Sequence, residues 1–449
     1  MSATVSTEEL RLGMFIHLDL GWWAHPFALS SFQLTTPEQI ASVRGLGLTR
    51  LRWSPEKSLI AQTVSAAGDE VGSEAGGEAG GEEDSRDAAA WPAPSALAPA
   101  PAPLVIGASA DDAASAQHRR ALAAQQAAAQ LCQRQYGEAA KGWAEITATL
   151  ATQPVLARDT AQDLTQALLS KLMVDQEICI RVLSEGAGDH ATLHALNVAV
   201  VSLLMGRSFG FGQAELTELG VGALLHDIGK FDLALAARHA NPNDSAVDQL
   251  LYRSHVATGL LQAQRMQLSA GATAVIAQHH EMVDGSGFPQ RLQSERMAAA
   301  ARIVALVNCY DNLCNPLLPH LGLTPHEAVS LMFAQSRKQF DATMLNGFIR
   351  MMGVYPPGSV VQLTDDRYAL VVNVNSSRPL KPRVLVAEPG VAVHDALLLN
   401  LDLQPDLGVR RSIRASALPE FAQACLSPRQ RLVYFFEPAA PTEAQLETR

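Results

Sequence analysis

The chain has 449 residues, of which 48% are hydrophobic and 18% charged, and its formal net charge is −11. This length suggests two or three domains, and the composition excludes a wholly disordered protein. Residues 69–87 hold eight acids and one base, so this stretch contributes −7 and the rest of the chain only −4. Because no basic stripe appears elsewhere, the sequence disfavours a nucleic-acid-binding protein.

Targeting patterns and cysteines indicate the compartment. Met1–Arg11 is polar and acidic and lacks the basic start and apolar run of a secretory signal. No window approaches the roughly 18 uninterrupted apolar residues that a membrane span needs. The five cysteines form no CxxC pair, and their number is odd, which suits a reducing environment. We therefore expect a cytoplasmic protein without a membrane span.

The first part of the chain divides into three segments by composition. Residues 1–60 contain short apolar runs separated by Gly, Pro and Ser, which predicts a small α+β module with one helix near Pro37–Leu46. Residues 61–110 are rich in acids, Gly, Ala and Pro, and this composition predicts a disordered linker. Residues 111–154 predict a long helix, which either connects two domains or forms a homodimer contact.

Residues 155–354 predict a nearly all-helical domain. Apolar residues recur at helical spacing in eight segments. These are Ala161–Leu172, Ile178–Leu183, His190–Met205, Ala214–Leu225, Ala246–Gln262, Ala272–Glu281, Ala298–Leu313 and Pro325–Phe333. From residue 355 to 449 the period changes to two, which predicts strands at Val360–Leu363, Tyr368–Val374, Arg383–Ala387 and Leu432–Phe436. The predicted class is mainly α, with an N-terminal α+β module and a β-rich C-terminal extension.

Histidines concentrate in the predicted helical domain, where residues 190–280 hold seven of the thirteen. His226 and Asp227 follow an apolar helix end and place an imidazole beside a carboxylate, whose two oxygens can bridge two metal ions. His194 lies 32 residues upstream and His255 lies 29 residues downstream, each on a predicted helix. Helices packed in a bundle can converge such side chains on one internal site.

The adjacent pair His279 and His280 completes this set. Neighbouring histidines on one helix point about 100° apart, which suits two metal ions better than one. A lone histidine on an apolar face is usually an ordinary core residue. Five histidines and an aspartate in one helical domain instead favour a shared metal site.

The order of these motifs resembles the HD-GYP family. The resemblance rests on His226-Asp227-Ile228-Gly229-Lys230, on His255, and on His279-His280-Glu281 followed by residues 284–289. The Gly-Tyr-Pro motif of that family stands here as Gly287-Phe288-Pro289. The resemblance covers about residues 185–355. The N-terminal segment resembles a small module of unknown function that is often found upstream of such domains.

The resemblance implies an HD-type helical bundle that cleaves cyclic di-GMP to pGpG or GMP, lowering a bacterial second messenger in signal transduction. It implies two divalent ions, iron or manganese, with a metal-bridged hydroxide attacking phosphorus. The implied catalytic residues are Asp227, which would bridge the ions, and Lys230, which would bind a non-bridging phosphate oxygen. The implied metal ligands are His194, His226, Asp227, His255, His279 and His280. The implied nucleotide-binding loop consists of Asp284, Gly285, Gly287, Phe288 and Pro289.

Three departures from the family pattern leave alternatives open. Asn308 stands where the family has a metal-binding aspartate, and Asp311, one turn later, either substitutes in part or is structural. His190 occupies the position of a carboxylate found in three-metal members, so a third ion, with His190 as a ligand, stays open. The arginine-rich segment that follows the last metal helix in the family reads Cys314–Pro319 here and lacks its phosphate-binding cations.

These departures define the competing functions. The leading hypothesis is an active cyclic di-GMP phosphodiesterase. The alternative is a degenerate member that acts through contacts with protein partners of its pathway. A third hypothesis is another HD-type nucleotide phosphohydrolase, and the His-His-Glu and Gly-Phe-Pro motifs argue against it.

Overall fold

The structure is a computed structural model that describes residues 3–18, 31–58, 110–172, 178–184, 188–239, 245–374, 378–391 and 395–438. The predicted linker, 61–110, lies outside the described residues apart from its last position. Among the described helices, none has the length and hydropathy to cross a membrane.

The N-terminal residues form a small α+β unit. Thr36 caps the one helix of this unit, Pro37–Arg44, because its side chain accepts a hydrogen bond from the backbone N–H of Gln39. Pro37 occupies the first helical turn, where its missing N–H costs nothing. Ile16, Leu34 and Val43 lie in its core. The elements are β1 (Ala3–Ser6), β2 (Phe15–His17), β3 (Ser31–Gln33), α1 (Pro37–Arg44) and β4 (Arg50–Trp53). The strands pair antiparallel in the order β1-β4-β2-β3.

Helices dominate the rest of the chain, and most of them share one hydrophobic core. They are α2 (Ala110–Thr149), α3 (Pro154–Leu172), α4 (His190–Ser208), α5 (Gln213–Leu225), α6 (Ala246–Arg253), α7 (His255–Met266), α8 (Ala270–Gln278), α9 (Ala299–Cys314), α10 (Pro325–Ala334), α11 (Ala342–Met352) and α12 (Glu420–Leu426). Helix α4 runs through the middle of the bundle, since residues 192–206 are buried without interruption. The mainly helical class is confirmed.

Helix α2 belongs to this core along its second half. Tyr136, Trp143 and Ile146 are buried there, and α2 packs against α3, α4 and the C-terminal sheet. The predicted 111–154 helix is therefore an integral part of the bundle as well as a connection. A homodimer contact through it stays a prediction.

One predicted helix is wrong. Ile178–Leu183 forms strand β5 (Ile178–Val182), which pairs antiparallel with β11 (Tyr434–Pro438). A short, mainly apolar run such as this one fits a strand and a helix equally well by periodicity, and here the pairing with a distant partner decides. The predicted helix Ala246–Gln262 is divided at Ser254 into α6 and α7.

The remaining strands extend this sheet to seven members. They are β6 (Val360–Leu363), β7 (Tyr368–Asn373), β8 (Arg383–Val386), β9 (Leu398–Asn400) and β10 (Val409–Ile413). The order is β10-β6-β7-β5-β11, with β8 on β7 and β9 on β8. Because β5 and β11 pair, the predicted C-terminal extension is joined to the helical domain through a shared sheet. The sequence pattern did not predict β9, β10, α11 or α12.

Candidate functional site

Six polar side chains meet at helix ends in the middle of the bundle. His194 lies in the second turn of α4, His226 and Asp227 directly follow α5, His255 begins α7, and His279 and His280 directly follow α8. Their ligand atoms form two compact groups that share Asp227. One group holds His194, His226 and Asp227, and the other holds Asp227, His255, His279 and His280.

Each oxygen of Asp227 faces two imidazole nitrogens. Oδ2 lies 3.5 Å from Nε2 of His194 and 3.4 Å from Nε2 of His226, and these nitrogens are 3.1 Å apart. Oδ1 lies 3.5 Å from Nε2 of His255 and of His279, which are 3.2 Å apart. Ligands about 2.1 Å from a common ion are separated by about 3–3.5 Å, so each triangle has the size of a metal site.

Backbone carbonyls orient three of the imidazoles. In each case Nδ1 donates to the carbonyl three residues earlier in the same helical turn, which leaves the Nε2 lone pair directed at the triangle. The pairs are His226 with Ala223 at 2.7 Å, His255 with Tyr252 at 2.6 Å, and His279 with Ile276 at 2.8 Å.

Asp311 orients the fourth imidazole. Its Oδ2 accepts from Nδ1 of His194 at 2.6 Å, and its Oδ1 accepts from the amides of Asn197 at 2.8 Å and Asn315 at 2.9 Å. It belongs to neither ligand group. Of the two roles that the sequence left open, the geometry favours the structural one.

The residues fit divalent cations. Oδ1 of Asp227 is buried and has no hydrogen-bond donor among the described residues. In their neutral form, His255 and His279 also direct two lone pairs at each other, a contact that a cation relieves. Burial lowers the pKa of His226 to about 4 and that of His255 to about 3, so both are neutral ligands at pH 7.

His194 differs from the other imidazoles. Burial disfavours its charged form, but the carboxylates of Asp227 and Asp311 outweigh burial and raise its pKa to about 9. Burial raises the pKa of Asp227, but Lys230, His226 and His194 outweigh burial and hold it well below its ordinary value. Metal binding at this group would therefore displace a proton from His194.

Lys230 is a half-buried partner of Asp227 rather than a solvated surface lysine. Its Nζ donates to Oδ2 of Asp227 at 2.6 Å and lies 5.2 Å from the ring centroid of Tyr252. Burial alone would lower the pKa of Lys230, but Asp227 and Tyr252 raise it. Gly229 lets this turn approach α7, since a Cβ there would lie 2.0 Å from the carbonyl oxygen of His255.

The loop after α8 is fixed by Glu281, which sequence reasoning noted only as part of a motif. Its buried carboxylate accepts from the backbone of Gln290 at 2.6 Å and of Leu292 at 2.8 Å. Phe288 stacks on His280 with 4.4 Å between ring centroids.

The other predicted loop residues lie outside this contact. Asp284 is exposed and accepts from the backbone and hydroxyl of Ser286, which closes a turn with Gly285 at φ +79°. Gly287 is buried and closely packed: a Cβ there would lie 2.4 Å from the backbone nitrogen of Met282. Pro289 is exposed. Of the five residues, Phe288 is the one with a ring contact to a ligand-group histidine.

Asn308 and His190 lie near the ligand groups with their polar atoms engaged. Oδ1 of Asn308, which is buried on α9, accepts from Asn312 at 2.6 Å. Nε2 of His190 hydrogen-bonds the carbonyl oxygen of Asn315 at 2.8 Å, and its ring lies parallel to His194 at 6.2 Å. His190 joins neither of the two ligand groups.

A cavity of about 220 Å³ opens beside the first ligand group. His194, Asp227 and Lys230 line one side of it, and Trp143, Phe231 and Arg238 are also in its walls. A larger cavity of about 490 Å³ lies between α2 and the C-terminal sheet, and no ligand-group residue lines it.

Two family models match the chain. Residues 165–344, which contain both ligand groups, match the HD domain. Residues 2–161 match a domain of unknown function, DUF3391, and this range includes the predicted linker and α2.

Several curated phosphodiesterases are similar to the chain. A cyclic di-GMP phosphodiesterase of Pseudomonas aeruginosa is 28% identical over 232 residues, 50% of this chain and 55% of that protein. A cyclic di-GMP phosphodiesterase of Borreliella burgdorferi is 22% identical over 200 residues, 44% of this chain and 52% of that protein. The chain thus spans about half the length of these relatives. A 3′3′-cGAMP-specific phosphodiesterase of Vibrio cholerae is 29% identical over 122 residues, 27% of this chain and 23% of that protein.

Among solved structures, the chain is similar to an HDG"Y"P protein from Bdellovibrio bacteriovorus. That similarity covers 78% of this chain and 98% of the other, with 12% identity and a TM-score of 0.40.

Proposed function

We propose that this chain, which contains an HD domain preceded by a DUF3391 module, is a metal-dependent phosphodiesterase that hydrolyses cyclic di-GMP to pGpG or GMP. The proposal rests on the position of Asp227, which belongs to both ligand groups. A carboxylate shared in this way is suited to bridging two ions. The names of the relatives supply the substrate class.

The chain's own residues would hold and orient the ions. His194, His226 and Oδ2 of Asp227 would hold one, and Oδ1 of Asp227 with His255, His279 and His280 would hold the other. Bound iron or manganese would supply Lewis acidity toward phosphate oxygens and a nucleophilic water at neutral pH. The carbonyl partners and Asp311 keep the imidazoles oriented, so the ligand set is formed before the ions bind.

Lys230 and Phe288 would act on the substrate. Lys230, which donates to Oδ2 of Asp227 in this structure, would donate to a phosphate oxygen as a point charge beside the reacting phosphorus. Phe288, held by the loop that Glu281 fixes, presents a ring at the edge of the site. Asp284, Gly285, Gly287 and Pro289 would shape the outer part of the nucleotide pocket.

A regulatory function without catalysis is the second candidate, and one observation favours it. Asn308 lacks the charge of an aspartate, and its side-chain oxygen is already bonded to Asn312. Together with the missing cations at 314–319, this would weaken metal and phosphate binding. In that case the HD domain would act through contacts with protein partners of the signalling pathway.

Metal content and turnover distinguish the two candidates. We expect the protein purified without oxygen to carry about two iron or manganese ions per chain and to hydrolyse cyclic di-GMP. Hydrolysis of 3′3′-cGAMP, measured in parallel, tests the choice of substrate. The double variant His226→Ala with Asp227→Ala should lose turnover and metal.

His326→Ala is the matched control. His326 also donates from Nδ1 to a backbone carbonyl, that of Val354 at 2.7 Å, but belongs to neither ligand group. It should keep both metal and turnover. A folded wild-type protein that takes up no metal and hydrolyses no cyclic dinucleotide would contradict the enzyme and support the regulatory candidate.

A further inference from the structure

The cavity beside the first ligand group is too small for a whole cyclic dinucleotide. Its volume is about 220 Å³, whereas pockets that enclose drug-sized ligands measure about 300–1,000 Å³. One nucleotide half therefore suits it. Such a half carries a phosphate, and the sequence lacks the phosphate-binding cations expected at 314–319, so the cation for this cavity must come from elsewhere in the chain.

Arg238 is a fixed cation in the cavity wall. Its Nε donates to the carbonyl of Leu233 at 3.1 Å, and its Nη2 donates to the carbonyl of Phe231 at 3.2 Å. Among the described residues it forms no other hydrogen bond and no ion pair. Lys230 also lines this cavity, but it is paired with Asp227 at 2.6 Å and is assigned above to the reacting phosphate. A guanidinium has five N–H donors, so three of those of Arg238 have no acceptor among the described residues and can bind an anion.

One aromatic ring contacts this guanidinium, and a second ring packs against the first. Its central carbon lies 5.5 Å from the ring centroid of Phe231, in a cation–π contact. Phe231 packs edge to face on Trp143, with 6.3 Å between ring centroids. Trp143 is 3% exposed and comes from α2, which lies in the stretch matched by DUF3391. Trp143, Phe231 and Arg238 therefore contact one another in sequence, from α2 to the cavity.

We propose that Arg238 binds a phosphate oxygen of the nucleotide half in this cavity, with Phe231 and Trp143 as positioning residues. The identity of the nucleotide rests on the function proposed above. Arg238 would replace the cations that the chain lacks after α9. The DUF3391 stretch would thereby contribute Trp143 to the support of the substrate site.

The test compares GMP with guanosine, since the two ligands differ by the phosphate. Binding of each to the manganese-loaded full chain is measured by calorimetry. Arg238→Met should reduce the preference for GMP over guanosine about tenfold, which is the effect of losing one charge-assisted hydrogen bond. Its affinity for guanosine should stay the same. In steady-state assays, the KM for cyclic di-GMP should rise about tenfold with kcat within about twofold.

Matched controls separate binding from folding. Arg265 also donates to a side-chain and a backbone oxygen, those of Gln262 and Ala151, but does not line the cavity. Arg265→Met should keep the full GMP preference. Trp143→Leu should lower the preference several-fold, whereas Tyr136→Leu, which removes another buried ring of α2, should lower thermal stability and leave the preference unchanged.

The possible results distinguish a failure of the Arg238 phosphate site from a failure of the proposed function. An Arg238→Met protein that retains the GMP preference, or that loses guanosine affinity equally, would overturn the role of Arg238. So would a wild-type protein that binds GMP no better than guanosine. A wild-type protein that hydrolyses no cyclic di-GMP yet shows the Arg238-dependent preference would refute the proposed function and support the phosphate site.

Discussion

Replacing Asp311 with asparagine would remove the negative charge behind His194 and keep the size of the side chain. Asp311 is 1% exposed and accepts three hydrogen bonds, from Nδ1 of His194 at 2.6 Å and from the amides of Asn197 and Asn315. An asparagine has one oxygen and one NH₂ group in place of two oxygens. At least one buried donor would therefore lose its acceptor, at a cost of about 1–3 kcal/mol of folding free energy.

The metal site that contains His194 should be weakened more than the other. Loss of a partner that orients a metal-bound histidine lowers metal affinity about 10–100-fold. That corresponds to about 1.4–2.7 kcal/mol of binding free energy. The group of Asp227, His255, His279 and His280 has no contact with Asp311 in its orienting bonds, so its affinity should stay within about twofold of wild type.

A manganese titration against a fluorescent chelator resolves these two sites. Asp311→Asn should keep one tight ion per chain and bind the second 10–100-fold more weakly. Asp341→Asn is the control, because Asp341 pairs with Arg302 at 2.7 Å and touches no ligand-group histidine. Two unchanged binding steps in Asp311→Asn, or equal weakening of both, would refute the role assigned to Asp311.

Four further substitutions test separate parts of the account. Lys230→Met should lower kcat about 10²–10³-fold while both ions stay bound, because it removes one donor to the reacting phosphate. Loss of metal together with the fall in kcat would contradict this role of Lys230. Asn308→Asp should raise metal occupancy or activity, and no change in either would mean that another ligand already compensates. Gly229→Ala should lower stability by about 1–3 kcal/mol, since its Cβ would lie 2.0 Å from the carbonyl oxygen of His255. Gly137→Ala on α2, where nothing lies within 4 Å of a Cβ, should instead raise stability by about 0.5–1 kcal/mol, and equal melting temperatures for the two would argue against the tight contact at Gly229.

The sequence predicted the mainly helical class, the HD domain and the upstream module, and the structure and the family matches confirm these. Strong 3.6-residue periodicity marked most helices because one face of each meets the common core. The helix prediction for residues 178–183 was wrong, since the conformation of this segment depends on pairing with β11, which lies more than 250 residues later in the chain. Strands β9 and β10 were missed for another reason, since none of their residues is fully buried and their sequences show no alternation of buried and exposed positions.

The six clustered side chains were predicted from their residue types and order, and the structure brings them together in two ligand groups that share Asp227. Their orienting partners were not predictable, because the end of each helix, two residues after Ala223 or Ile276, has to be located before the carbonyl can be assigned. Arg238 and Trp143 were missed as well. Arg238 and Trp143 come close together only because α2 packs against the turn after α5, and no local sequence pattern predicts that packing.

The sharing of Asp227 is tested most directly by the metal content of three single variants. After reconstitution with manganese, His226→Ala should retain about one ion per chain, because the second ligand group is intact. His279→Ala should likewise retain about one ion, in the first group. Asp227→Ala should retain less than one, since it removes a ligand from both. Two ions per chain in Asp227→Ala, or the same loss in all three variants, would contradict a carboxylate shared between two metal sites.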